Sequence, residues 1–206
     1  MIYQTVADLN FRLSELPSLP YPLRVLMASP EHFDVTYVIN AHMKGNIGEV
    51  NTDRTKKDWH AIQIAYRQCG IIVDEIPGIA GLPDMVFCAN QTLPFLSADG
   101  TQKGVILSKM FAPQRADEVH YFRQHFEKRG YAIISDLAAG DLEFEGMGDA
   151  LWHSGKRLLW GGYGFRTDKS VYDLISEKLD VPVILLDLED PEFYHLDTCM
   201  CILDDD

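Results

Sequence analysis

Acidic side chains and a histidine return at matching places along the chain: Asp84 in one stretch, Glu145 and Asp149 in a second, His195 and Asp197 in a third. The interval of roughly fifty to sixty positions suggests a repeated structural unit before it suggests one doubly wound sheet. If such units ring an axis, these groups converge on a central polar cavity, where buried charge is costly unless a polar ligand compensates it. Each carboxylate taken singly also suits a turn or a cap; the repetition favours a shared site. Two other constellations carry less. Glu118, His120, His125 and Glu127 crowd one predicted helix, but no pair has the H-E-x-x-H spacing that puts two imidazoles on one zinc, so a solvated face is expected. The glycine-rich stretch Gly161, Gly162, Tyr163, Gly164 stands between a strand and a helix as a phosphate loop does, yet it lacks the P-loop lysine and the G-x-G-x-x-G spacing.

The elements that must position these groups follow from hydrophobic periodicity. Strands are predicted over 23–27 and 71–76 around a helix over 53–68, in which Trp59, Ile62, Ala65 and Tyr66 recur at three-to-four spacing. A strand pair over 84–89 and 104–107, a helix over 114–128 and a strand over 131–135 come next. The order then recurs as 143–152, 157–161, a helix over 169–179 and a strand over 183–186, and a last strand is predicted over 193–203. That strand places His195 and Asp197, two residues apart, on one face. No linker divides the 206 residues, so a single domain is expected over 1–206.

Composition narrows the function classes. The chain has 31 acidic against 18 basic residues and a formal charge of −13, which excludes a duplex nucleic-acid binder that relies on bulk electrostatics. No apolar run reaches the length of a membrane span, and residues 1–10 lack the pattern of a signal peptide. Cys69, Cys88, Cys199 and Cys201 form no C-x-x-C pair, so neither a disulfide framework nor a structural zinc site is expected; a reducing cytoplasm fits.

Five strings supply a context for the site groups: SPEHFDVTYVIN at 29–40, LPDMVFCANQ at 82–91, FEGMGDALW at 144–152, GYGFR at 162–166 and FYHLDTC at 193–199. In this order they resemble the guanidine-modifying superfamily of arginine deiminases, dimethylarginine dimethylaminohydrolases and amidinotransferases, and within it the N-terminal catalytic domain of the cyanobacterial arginine dihydrolases. The resemblance implies an α/β fold, a pentein-type propeller of repeated ββαβ modules, incomplete in this chain. It implies hydrolysis of C–N bonds in a linear amidine, arginine foremost, with a small guanidino molecule as partner and neither cofactor nor metal. Amidino transfer to an amine and a non-catalytic arginine-binding relic stand as alternatives.

By the same resemblance His195 is the general acid and base, Asp197 a guanidinium ligand, and Glu145 the acid that pairs with both guanidinium and histidine. Arg115 and Arg166 match a pair gripping the substrate α-carboxylate, a task suited to a guanidinium fork. Asn40 and Asn90 match amides that line the pocket, and Asn90 favours a dihydrolase over a deiminase. Asp84, following Pro83, suits either the substrate wall or a structural turn. Thr167 and Asp168 resemble a helix N-cap. Relatives carry a nucleophilic cysteine beyond the HLDT segment, and no residue here matches it, so the chain is expected to be C-terminally truncated and inactive by itself. The apolar segment before Asp204, Asp205 and Asp206 would then leave an open strand edge, which predicts low stability or association into a homo-oligomer. Met147 replaces a small residue of relatives and is expected to narrow the pocket.

Overall fold

The computed structural model describes residues 1–136 and 140–204. Its strands fall into three separate sheets, ordered β1-β9-β8-β7, β2-β3 and β4-β5-β6, and among the described residues no sheet closes on itself. Two units share one plan. In the first, β4 (Thr92–Leu96) runs antiparallel to β5 (Lys103–Leu107), helix α2 (Glu118–Lys128) crosses over, and β6 (Ala132–Asp136) pairs parallel with β5. In the second, β7 (Ala150–Trp152), β8 (Leu159–Tyr163), α4 (Val171–Leu179) and β9 (Val183–Asp187) repeat that order, and β1 (Ile2–Tyr3) extends the edge beside β9. The third sheet holds only β2 (Arg24–Ala28) and the parallel β3 (Ile72–Ile76), joined through α1 (Thr52–Gln68).

Local chemistry explains these placements. Pro94 lacks an N–H and sits in β4, an edge strand that does not need every donor. Gly104 in β5 leaves room for the Phe95 ring, which a Cβ there would meet at 2.1 Å. Helix α2 buries Val119, Phe122 and Phe126, three to four residues apart, and α4 buries Val171, Tyr172, Ile175 and Leu179. Burial of such a side chain contributes about 1.5–3 kcal/mol. One core gathers the β4, β8 and β9 side chains under α4, and the second gathers those of β2 and β5 under α2.

Two predicted strands are not strands, and a third is strand only over its last three residues. Residues 84–89 form the 3-10 turn Pro83–Val86 and its exit, and the strand of that unit lies later, at β4. Residues 143–152 hold the short helix α3 (Gly146–Asp149) before β7. Residues 193–203 contain the 3-10 turns Pro191–Phe193 and Leu196–Thr198 with no ladder partner. His195 is the cap of the latter turn, so His195 and Asp197 do not share a strand face, and Leu203 is 89% exposed outside any sheet. Short apolar stretches such as Met85–Ala89 and Cys199–Leu203 imitate a strand, while backbone groups of these segments bond to side chains and to turn carbonyls instead. Asp205 and Asp206 lie outside the described residues.

Candidate active site

Helix α3 is too short for packing to define it, and glycine geometry does so instead. Gly146 has φ +53°, and a Cβ there would lie 2.7–2.8 Å from the carbonyls of Thr92, Ala89 and Asn90. Only glycine lets the turn press against the segment that carries Asn90. The Met147 amide donates to the Ala89 carbonyl at 2.8 Å. The Met147 side chain packs on the core with Leu142 and Tyr163 and does not line the cavity, so it does not narrow it. Glu145 caps the start of α3 and Asp149 ends it, which brings both carboxylates to His195.

His195 is nearly enclosed. Its Nε2 lies 3.1 Å from Glu145 Oε2, out of line for a hydrogen bond and therefore an ionic contact, and 3.2 Å from Asn90 Nδ2. Its Nδ1 lies 3.1 Å from Asp149 Oδ1. The Asn90 amide cannot turn over, because its Oδ1 accepts from Arg115 Nη1 at 3.0 Å. Nε2 therefore faces a carboxylate that favours a proton and an amide N–H that favours a lone pair. A histidine with a partner in each protonation state suits proton transfer. Burial acts to lower its pKa, but Asp149 and Glu145 reverse this and push it up to about 9. Burial acts to raise Glu145; His195, Arg166 and Arg115 outweigh it and hold the carboxyl below its ordinary value.

The cavity in front of His195 measures about 590 Å³, and Asn40, Asp84, Asn90, Arg115, Arg166 and Asp197 line it. Glu145 stands behind His195 and Arg166. Asp84 is buried, with Oδ2 accepting from Tyr37 at 2.8 Å and Oδ1 left without a partner; burial raises its pKa. Asp197 opens to the cavity, but desolvation by the surrounding protein, reinforced by Asp149 and Glu145, pushes it up to about 6 against the pull of His195. Asp84 Oδ1 is thus a buried acceptor without a donor, and Asp197 presents its exposed carboxyl to the cavity. The Arg166 guanidinium stacks on Tyr194 at 4.9 Å and Phe111 at 5.4 Å, and donates to the Ile39 carbonyl at 2.7 Å and to Glu145 at 3.4 Å. Asn40 Nδ2 donates to the Tyr194 hydroxyl at 3.1 Å, while its Oδ1 caps the turn Ala41–Met43.

Arg115 is committed elsewhere. Its Nε and Nη2 engage Glu118 at 2.9–3.2 Å, and Nη2 also reaches the carbonyls of Asp84 and Phe87. Nη1 has no bond to Glu118 or to those carbonyls and donates to Asn90 Oδ1. Glu118 is wholly buried and also accepts from Gln91 at 2.6 Å, so the expectation of a solvated face fails for it and for the buried His125, and holds for the exposed His120 and Glu127. Helical period gives a side chain's direction, not its depth, and the arginine three residues earlier draws Glu118 inward. Thr167 is no N-cap either: α4 begins after Ser170, and the Thr167 hydroxyl donates to Asp149 Oδ2 at 2.6 Å. Among the cysteines, Cys88 lines the cavity but turns its thiol to the Leu26 carbonyl at 3.1 Å, and burial raises its pKa. Cys199 and Cys201 are exposed and outside the lining. Among the described residues no cluster of metal-binding side chains occurs, and no helix is long and apolar enough to cross a membrane.

Known proteins share this arrangement of segments. A family model described as N,N dimethylarginine dimethylhydrolase, eukaryotic, matches residues 29–205. The bifunctional arginine dihydrolase/ornithine cyclodeaminase ArgZ of Synechocystis is 40% identical over 181 residues, which cover 88% of this chain and 24% of ArgZ. The N(G),N(G)-dimethylarginine dimethylaminohydrolase of Mycobacterium tuberculosis is 36% identical over 186 residues, covering 90% of this chain and 57% of that protein. A substrate-bound mutant of the N-terminal domain of ArgZ superposes with a TM-score of 0.81, covering 87% of this chain and 63% of that one. The chain thus spans less than two thirds of the length of each. Because the family match runs from Ser29 through every group that converges on His195, the chain belongs to the dimethylarginine dimethylhydrolase family of guanidine-modifying proteins.

Proposed function

We propose that this chain provides the guanidine-binding and proton-transfer machinery of a hydrolase that cleaves C–N bonds of arginine. The observation that carries this is one imidazole between two buried carboxylates and a fixed amide, at the wall of a cavity lined by Asp84, with one oxygen unpartnered, and by Asp197. Asp84 and Asp197 take the N–H donors of a cationic substrate. Arg166, rigid between two rings, meets the α-carboxylate, and Arg115 assists through Nη1. Asn40 and Asn90 shape the wall. We further place the two complete ββαβ units and the β2-α1-β3 unit about a common axis, as one domain of a cytoplasmic, pentein-type propeller.

Resonance from three nitrogens makes a guanidinium carbon a poor electrophile that resists water, so a thiolate forms the C–S bond first. His195, protonated, hands its proton to the departing nitrogen as the C–N bond breaks. The neutral ring then takes a proton from the water that attacks the adduct carbon, and the thiolate leaves. Cys88, Cys199 and Cys201 are not placed to begin this sequence, which favours binding without turnover by these 206 residues. Calorimetry should detect arginine binding that weakens at least tenfold in Asp84→Asn, with no ammonia released. Absence of binding would overturn the substrate assignment; ammonia release abolished by Cys88→Ala or Cys199→Ala would overturn the role given to the thiols.

A further inference from the structure

Asp149 makes every contact a positioning carboxylate can make. It is 1% exposed. Oδ1 accepts from the His195 ring at 3.1 Å and from the Leu196 amide at 3.2 Å, while Oδ2 accepts from the Thr167 hydroxyl at 2.6 Å. Thr167 in turn accepts from the Glu145 amide at 3.1 Å, so one hydroxyl ties the start of α3 to the carboxylate at its end. The Leu196 bond also holds the backbone next to the imidazole, fixing ring and main chain through one oxygen.

We propose that Asp149, latched by Thr167, is a positioning residue that keeps the His195 proton on Nδ1 in the neutral ring and so reserves Nε2 for proton exchange beside Asn90 and Glu145. A carboxylate at Nδ1 holds that proton whether or not Nε2 carries one. Without it, Glu145 is the remaining anion within contact distance and draws the proton of the neutral ring to Nε2, where it confronts the Asn90 N–H group. The charged and titratable groups around the ring are Glu145 and Asp149 from α3, Tyr194 and Asp197 from its own segment, and Arg166 and Arg115 across the cavity. Asp149 is the one that meets Nδ1.

The inference rests on His195 as the proton carrier, but its test is read on the free chain and does not depend on arginine binding. Nitrogen-15 NMR of histidine-labelled protein, with His195 assigned through His195→Gln, reports both the tautomer and the titration midpoint. In Asp149→Ala the neutral ring should shift from the Nδ1–H to the Nε2–H form. Asp149→Asn keeps an acceptor and removes charge, so it should preserve the tautomer and lower the midpoint by roughly one to three pH units, a tenfold to thousandfold loss of proton affinity. Glu145→Gln should keep the Nδ1–H form. An unchanged tautomer in folded Asp149→Ala overturns the proposal, and if that variant does not fold, an unchanged midpoint in Asp149→Asn overturns it.

Discussion

Removing the Glu118 carboxylate should be among the most damaging single changes in this chain. Its oxygens receive Arg115 Nε at 3.2 Å and Nη2 at 2.9 Å, with Gln91 Nε2 at 2.6 Å, and neither partner of the ion pair is more than 4% exposed. Glu118→Ala therefore leaves a guanidinium buried with no carboxylate against its Nε–Nη2 edge. Breaking one side of such a pair costs roughly 3–5 kcal/mol. At about 2–4 °C per kcal/mol for a chain of this size, the melting midpoint should fall by roughly 6–20 °C. The pair need not be stabilising overall. Burial raises the Glu118 pKa despite Arg115, so its folded form holds a proton more tightly than the unfolded chain, and its contribution worsens as pH rises past the ordinary glutamate range. Replacing both partners, Glu118→Leu with Arg115→Met, should accordingly cost less than the sum of the single changes. Recovery stays partial, because the Asp84 and Phe87 carbonyls and Asn90 Oδ1 lose the donors Arg115 gave them. Urea unfolding followed by circular dichroism measures each variant. A loss below about 1 kcal/mol in Glu118→Ala, the size of a surface ion pair, would refute the reasoning.

The raised pKa of His195, about 9 against 6.5, gives stability that is complete below pH 6.5 and is lost as pH climbs through 9. Urea midpoints at pH 6 and pH 10 should therefore diverge in the parent chain and converge in His195→Gln; equal slopes in both would show that the carboxylates do not lift the proton affinity. In Gly148→Ala the new Cβ would sit 2.3 Å from Asn90 Nδ2 and 3.2 Å from His195 Nδ1, costing roughly 1–3 kcal/mol of stability and displacing the Asn90 resonance in amide NMR. Tyr172→Phe removes the donor to the Asp149 and Gly162 carbonyls at 2.9 and 2.7 Å and should cost about 1–3 kcal/mol, a value calorimetric unfolding can check.

Periodicity alone made α2 and α4 legible, because Phe122 with Phe126 and Tyr172 with Ile175 repeat at the interval that buries one helical face. It likewise marked β5, β8 and β9, whose apolar runs are covered by those helices. The strings around Glu145, Asn90 and His195 pointed to guanidine chemistry, and the family match covers all three. Apolar runs misled over 84–89 and 193–203, since a pattern of side chains says nothing about where backbone N–H and C=O groups find partners, and one such partner is the distant Asp149, which takes the Leu196 amide. Nor could spacing show that Glu145 and Asp149 flank one imidazole. That depends on a positive φ at Gly146, which the carbonyls of a segment more than fifty residues earlier permit only without a Cβ. Glu118 was equally hidden: its helix fixed its direction, while the depth of burial came from Arg115 and Gln91 meeting it from other elements. Local pattern thus chose the elements and the chemical type, and long-range packing decided which charges would be buried together, because desolvation is a property of the assembled surroundings and not of neighbours in sequence.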